Sequence, residues 1–270
     1  MWSRQDPIVG AGIVFAGPEG VLLAQEHMAQ GYSEAGTWSG FEGRRVSDEN
    51  LVDACTRETC EESLGLCNPA KVRRLILSKA YHRQIMCRIT CRRGSSRRIY
   101  YVMHTRHLPE GVVAKFASRR ADLLEVRSML KLYRGLAHEL PLLPQHGFMH
   151  PEKAHLVVQS SYDPDSGEVA YSLSNGESGV YSLPMGFSRE RMISIVALAR
   201  SLRSKLARSP WMVTSGALNP YTMTVNVDFL EKQRLHFFPA DTLRSANQAP
   251  ALRSFFRPLL AHILSGPLPA

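Results

Sequence analysis

The chain has 270 residues, 44% of them hydrophobic, enough to bury a sizeable core as one large domain or one domain carrying an insertion. Its 33 basic against 24 acidic residues give a formal charge of +9, which favours anionic partners: nucleic acid, polyphosphate or an anionic membrane surface. No apolar run reaches the roughly 18 residues of a membrane span, and no basic start followed by an apolar core marks a secretory signal. The five cysteines (Cys55, Cys60, Cys67, Cys87, Cys91) contain no C-x2-C pair, which argues against a zinc site or a disulfide framework. A reducing, intracellular compartment, cytoplasmic or nuclear, is the expectation.

Residues 8–26 read as two apolar strands joined by a Gly-Pro-Glu-Gly turn. An aromatic-to-glycine approach, Trp38-Ser39-Gly40-Phe41-Glu42-Gly43, leads into a helix, with Ser47 or Asp48 as its N-cap. On that helix Val52, Cys55 and Thr59 form the side that packs on a sheet. Residues 82–104 alternate apolar and polar and turn at an arginine-rich tip, so Arg92, Arg93, Arg97 and Arg98 are candidate anion-binding residues. Of Tyr100 and Tyr101, one is expected in the core and the other free to stack on a base. Residues 115–140 carry helical periodicity, with Leu123, Val126, Leu130 and Ala137 on one face and Arg120, Arg127, Lys131 and Arg134 beside it. Residues 155–183 predict a hairpin turning at 163–167, and residues 189–207 a second helix. The histidines of this region have no ligand spacing.

The most informative passage is Gly43-x5-Glu49-x7-Arg57-Glu58-x2-Glu61-Glu62. On a helix Glu58, Glu61 and Glu62 stand at i, i+3 and i+4, so three carboxylates share one face. Like charges on adjacent turns repel unless a cation neutralises them. A hard divalent ion beside a phosphate, Mg²⁺ or Mn²⁺, is such a cation.

These residues and their spacing resemble the Nudix box, G-x5-E-x7-R-E-U-x-E-E-x-G-U. There are two departures: Thr59 stands at an aliphatic position, and Leu64-Gly65 replaces the Gly-aliphatic pair. Residues 234–264 are similar to the family's last strand and closing helix. The resemblance implies an α/β fold, a mixed β-sheet sandwiched between helices, with a helical and hairpin insertion. It covers a core of 8–105 and 228–264 around a segment of 106–225 within one domain of 1–270. It also implies hydrolysis of a phosphoanhydride in a nucleoside-diphosphate-linked substrate, with Mg²⁺ or Mn²⁺ held by Glu58, Glu61 and Glu62. Glu49 and Arg57 would form an ion pair orienting these carboxylates, and Gly43 would pass beneath a phosphate in a backbone conformation reserved for glycine. The general base would be one of the box glutamates or a distal glutamate from the loop before the last strand, for which Glu231 is the nearest candidate.

For substrate, enlarged basic members resemble mRNA-decapping enzymes, including those of large DNA viruses, so capped RNA or another highly anionic substrate stands first. Nucleotide sugars, dinucleoside polyphosphates and inositol polyphosphates are the small-molecule alternatives. A Nudix-fold module that binds a nucleotide or RNA without hydrolysing it is the non-enzymatic one. Partners are therefore a nucleotide or polyphosphate and, for the first reading, RNA; no membrane partner is expected.

Overall fold

The computed structural model describes residues 7–28, 33–91, 94–138, 157–163, 168–173, 175–182, 227–245 and 247–269, with short runs and single positions between 194 and 225. They fall into two compact units, one of Met1–Arg120 with Val227–Ala270 and one of Ala121–Asn226. Residues 106–120, expected with the intervening segment, thus group with the sheet. No helix among the described residues is long and apolar enough to cross a membrane.

The first unit is α/β, built on a mixed sheet with helices on both faces. Strand β1 (Ile8–Gly17) and β2 (Gly20–Glu26) form the apolar hairpin, closed by Gly20 at φ +114°, where a side chain would strike the Phe238 backbone. Along the same edge β1 pairs first with β4 (Phe41–Arg44), from Gly10 opposite Arg44 to Ile13 opposite Phe41, then with β2 from Phe15 opposite Leu22. Its other edge meets β6 (Gly94–His104) in parallel. Strands β5 (Arg83–Cys91) and β10 (Lys232–Phe238) complete the order β10-β2-β1-β6-β5, and β3 (Trp38–Ser39) pairs with β2.

Both faces of the sheet are covered, so β1 and β2 are buried almost without alternation. On one face Val14, Ala16, Tyr100 and Val102 pack under the closing helix Phe256–Leu264, whose Phe256, Leu259, Leu260, Ile263 and Leu264 recur at helical spacing. On the other lies α1 (Leu51–Glu62), packed against β1, β4 and α2 (Pro69–Leu77). Tyr100 and Tyr101 are both buried, which corrects the expectation that one would be free to stack.

Two local expectations shift. The cap of α1 is Asn50, whose side chain accepts from Val52 N and Asp53 N at 2.9 Å, and not Ser47 or Asp48. The arginine tip is shorter than expected, because Gly94, Ser95 and Ser96 are strand residues opposite Cys91, Thr90 and Ile89. Arg92 and Arg93 lie outside the described residues. Arg97 and Arg98 are successive strand residues on opposite faces of β6.

In the second unit α3 (Val112–His138), which begins in the first, buries Leu123, Val126, Leu130 and Tyr133, while Arg127 and Lys131 are exposed. The side chains of Arg134 and Ala137 lie outside the described residues. The hairpin expected over 155–183 is a three-stranded meander: β7 (Val157–Asp163), β8 (Glu168–Leu173) and β9 (Ser178–Ser182). Its second turn holds Gly176 at φ +89°, with the Asn175 side chain accepting from Glu177 N at 3.1 Å. The helix expected over 189–207 lies outside the described residues apart from scattered positions, among them buried Leu202 and Leu206.

Candidate functional site

Helix α1 and the loop before it are held by one guanidinium. Arg57 Nε and Nη2 donate to the two Glu49 carboxylate oxygens at 3.0 and 3.1 Å, and Nη2 also to the Arg44 carbonyl at 3.0 Å. Its Nη1 bridges Glu58 at 2.9 Å and Glu61 at 3.0 Å, so those two carboxylates converge on one nitrogen. The planar fork suits this divided task better than an ammonium would. Arg57 is held above its ordinary value, first by Glu49. Burial raises the Glu49 carboxyl, but Arg57 and the Val46 amide together hold it below the usual carboxylate range.

Gly43 is required here for space rather than for backbone freedom. Its φ is outside the left-handed region, contrary to expectation, but a Cβ would fall within 2.5 Å of the Glu58 carboxyl carbon and both oxygens. The glycine seats Glu58 directly against β4. At its other end α1 closes through Leu64 and Gly65, at φ 55° and 68°, with Gly65 N donating to Cys60 O at 2.7 Å. The exchanged Leu-Gly order therefore still supplies a left-handed helix stop.

Glu58 opens onto a cleft of about 390 Å³ lined also by Glu26, His27, Glu42, Gly43, Arg44, Arg98, Glu231 and Arg253. Register explains the gathering. Glu42 on β4 faces Gly12 of β1, and a parallel bridge from Trp38 to Leu252 carries Arg253 alongside. Arg98 and Arg253 both stack on the Phe255 ring, at 5.1 and 4.7 Å from its centroid. Between them lies the buried Glu42 carboxylate, which receives the Tyr100 hydroxyl, Arg98 Nη1 at 3.3 Å and Arg253 Nη1 at 3.4 Å. Burial pushes Glu42 above the usual range against the pull of both arginines.

Glu62 takes a different course from Glu58 and Glu61. It continues the buried stripe of Cys55 and Thr59 at i+7 and i+3, and so points toward the sheet. There one carboxylate oxygen meets Lys232 Nζ at 2.8 Å and the other accepts Glu42 N at 2.6 Å. Lys232, 1% exposed, also reaches Glu26 and donates to Ser39 Oγ at 3.1 Å. Burial alone would lower its pKa, but Glu62 and Glu26 outweigh it and hold the ammonium charged.

Glu231, an exposed residue, also lines the cleft. Desolvation against the cleft wall raises its carboxyl, Lys232 opposes this, and Glu58 adds to the rise, although the residue keeps an exposed face. Glu58 and Glu61 are likewise raised, by burial first, against the pull of Arg57. Glu58 and Glu61, half-buried oxygen donors that share a single guanidinium, have the donor chemistry of a hard divalent ion. Among the described residues no three acidic, histidine or cysteine side chains are already arranged around one metal position. The fit therefore extends to Glu58 and Glu61, and not to Glu62 as it is placed.

Of the residues singled out in the sequence, Glu49, Arg57, Glu58 and Glu61 form one network, Gly43, Glu58, Glu231 and Arg98 line the cleft, and Glu62 is turned away. Arg97 is directed to Met86, its Nη1 3.4 Å from the sulfur. Sequence reasoning missed Glu26, Glu42, Arg253 and Lys232. Glu26 ends the apolar run of β2, but Glu42 in FEGR, Lys232 in KQRLHFF and Arg253 stand among other polar residues and carry no local signal.

No protein-family profile and no curated protein sequence matches the chain. Among solved structures, a bifunctional NMN adenylyltransferase/ADP-ribose pyrophosphatase of Francisella tularensis is similar over 38% of this chain and 28% of its own, at 16% identity and TM-score 0.29. A MutT protein of Methanosarcina mazei is similar over 37% of this chain and 65% of its own, at 15% identity and TM-score 0.26. The Nudix hydrolase RenU of M. smegmatis is similar over 38% and 63%, at 18% identity and TM-score 0.26. The matched region thus spans less than two thirds of each of these proteins.

Proposed function

We propose that the chain is a Nudix-type pyrophosphohydrolase, cleaving a phosphoanhydride in a nucleoside-diphosphate-linked substrate with Mg²⁺ or Mn²⁺. The observation that carries this reading is the cleft itself. A carboxylate seated on Gly43 and a second from the approach to β10 share it with two arginines, Arg98 buried and Arg253 half-buried.

Glu58 and Glu61 would hold the divalent ion, which when bound neutralises anhydride charge and lowers the pKa of water. Arg57 keeps those carboxylates convergent, and Glu49 fixes Arg57. Arg98 and Arg253, braced on Phe255, receive the diphosphate oxygens; fixed guanidinium groups of this kind stabilise charge without reorganising. Glu231, raised above its ordinary value and lining the same cleft as Glu58, is the general base. The walls admit a small diphosphate-linked molecule. Capped RNA, the substrate favoured by net charge, needs in addition a backbone-gripping surface.

One observation favours a second reading, the nucleotide- or RNA-binding module without hydrolysis. Each box carboxylate already has a protein cation, Arg57 for Glu58 and Glu61, and Lys232 for Glu62. A single panel separates the readings: capped RNA, nucleotide sugars, dinucleoside polyphosphates and inositol polyphosphates, each with and without Mg²⁺ or Mn²⁺. Metal-dependent product release supports the hydrolase; binding with no release across the panel supports the module. If capped RNA is the substrate, its affinity falls steeply as salt rises.

A further inference from the structure

We propose that Lys232 is a built-in cation seated where a divalent ion would otherwise meet Glu62, so that Glu62 positions the site and is not a metal ligand. The inference rests on the hydrolase reading for its bearing on catalysis, but its geometry stands alone. The three ammonium protons have three acceptors, on Glu26, Glu62 and Ser39. The two Glu62 oxygens are likewise both engaged, by Lys232 and by Glu42 N. A divalent ion bound to the same carboxylate would lie within a few ångströms of a buried ammonium, and that repulsion is hardly screened at 1% exposure.

The arrangement ties four elements together at one atom and a fifth through Glu62. Lys232 opens β10, Glu26 ends β2, Ser39 belongs to β3, Glu62 ends α1, and Glu62 in turn holds the β4 backbone at Glu42, next to Gly43 and its Glu58 contact. Lys232 is therefore a positioning residue: it supplies locally the charge the acidic helix face requires and fixes the wall on which Glu58 is seated. The divalent ion is left to Glu58 and Glu61.

Mn²⁺ titration of the full chain, followed by the electron paramagnetic signal of free Mn²⁺, tests this together with thermal melts. Glu62→Gln, whose amide oxygen still accepts Glu42 N and so keeps the wall in place, retains Mn²⁺ affinity within about twofold of wild type, whereas Glu58→Gln loses about tenfold or more. Lys232→Met melts lower, binds additional Mn²⁺ in the vacated Glu26–Glu62 seat, and is raised in melting temperature by Mn²⁺ more than wild type is. A purely structural lysine gives the lower melt without the metal rescue, and that result overturns the proposal. Loss of Mn²⁺ by Glu62→Gln as severe as that of Glu58→Gln overturns it as well. If Lys232→Met does not fold, the double variant Lys232→Met/Glu62→Gln removes both charges, and its Mn²⁺ affinity equal to wild type supports the proposal while its loss overturns it. These readouts do not depend on turnover. Absence of hydrolysis therefore sinks the hydrolase reading alone, and loss of Mn²⁺ by Glu62→Gln in an active enzyme sinks the Lys232 assignment alone.

Discussion

Gly43→Ala separates stability from function more cleanly than any other single change in the site. The added carbon would lie within 2.5 Å of the three Glu58 carboxyl atoms, and ordinary contact begins near 3.4 Å. The carboxyl must therefore retreat by about 1 Å or more. The obstacle is the end of a flexible side chain, and Gly43 is not in the left-handed region, so the fold gives way cheaply, by less than about 1 kcal/mol. Function does not. A displacement of about 1 Å at a catalytic group costs on the order of 100-fold in rate, and a disturbed ligand about 10- to 100-fold in metal affinity. Urea unfolding and Mn²⁺ titration on the same preparation measure both. A variant with wild-type Mn²⁺ affinity and turnover would refute the role given to Gly43 and the seat given to Glu58. A variant destabilised by several kcal/mol would refute the claim that the contact is flexible.

Three further outcomes follow from particular contacts. Asn50→Ala removes the side-chain acceptor for Val52 N and Asp53 N and lowers stability by about 1 kcal/mol in urea unfolding. Phe256→Ala, at a fully buried position under β6, costs about 3–5 kcal/mol by the same method. Glu49 has its folded pKa depressed, so the stability it contributes is present above the unfolded carboxylate value near 4.5 and is lost as pH falls through the folded one. Melting temperature against pH should therefore fall less steeply below about pH 4.5 in Glu49→Gln than in wild type.

The elements near the box were legible because their signals are local. The apolar hairpin, the Gly43-to-Glu62 spacing and the closing helix each declare themselves within a stretch of at most 20 residues, and the structure holds a mixed sheet with helices on both faces. Glu62 was harder: on a helix it stands only about 40° from Glu58, and which of the two meets the sheet depends on how α1 is rolled. The roll is set by Cys55 and Thr59, whose burial carries Glu62 inward with them. The cation awaiting it, Lys232, is 170 residues away and arrives through the pairing of β10 with β2, a register no local pattern specifies. Arg253 enters through the bridge between Trp38 and Leu252 in the same way. The arginine tip erred for the opposite reason, since Gly94 and Ser95 look like turn residues alone but are held as strand by the partner across from them.

The most direct measurement is product release by wild type and Glu58→Gln across the substrate panel, with and without Mg²⁺ or Mn²⁺. The account predicts release by wild type only with the metal, and a loss on the order of 100-fold or more in Glu58→Gln with the fold intact. Wild-type rates in Glu58→Gln, or release that ignores the metal, would contradict it.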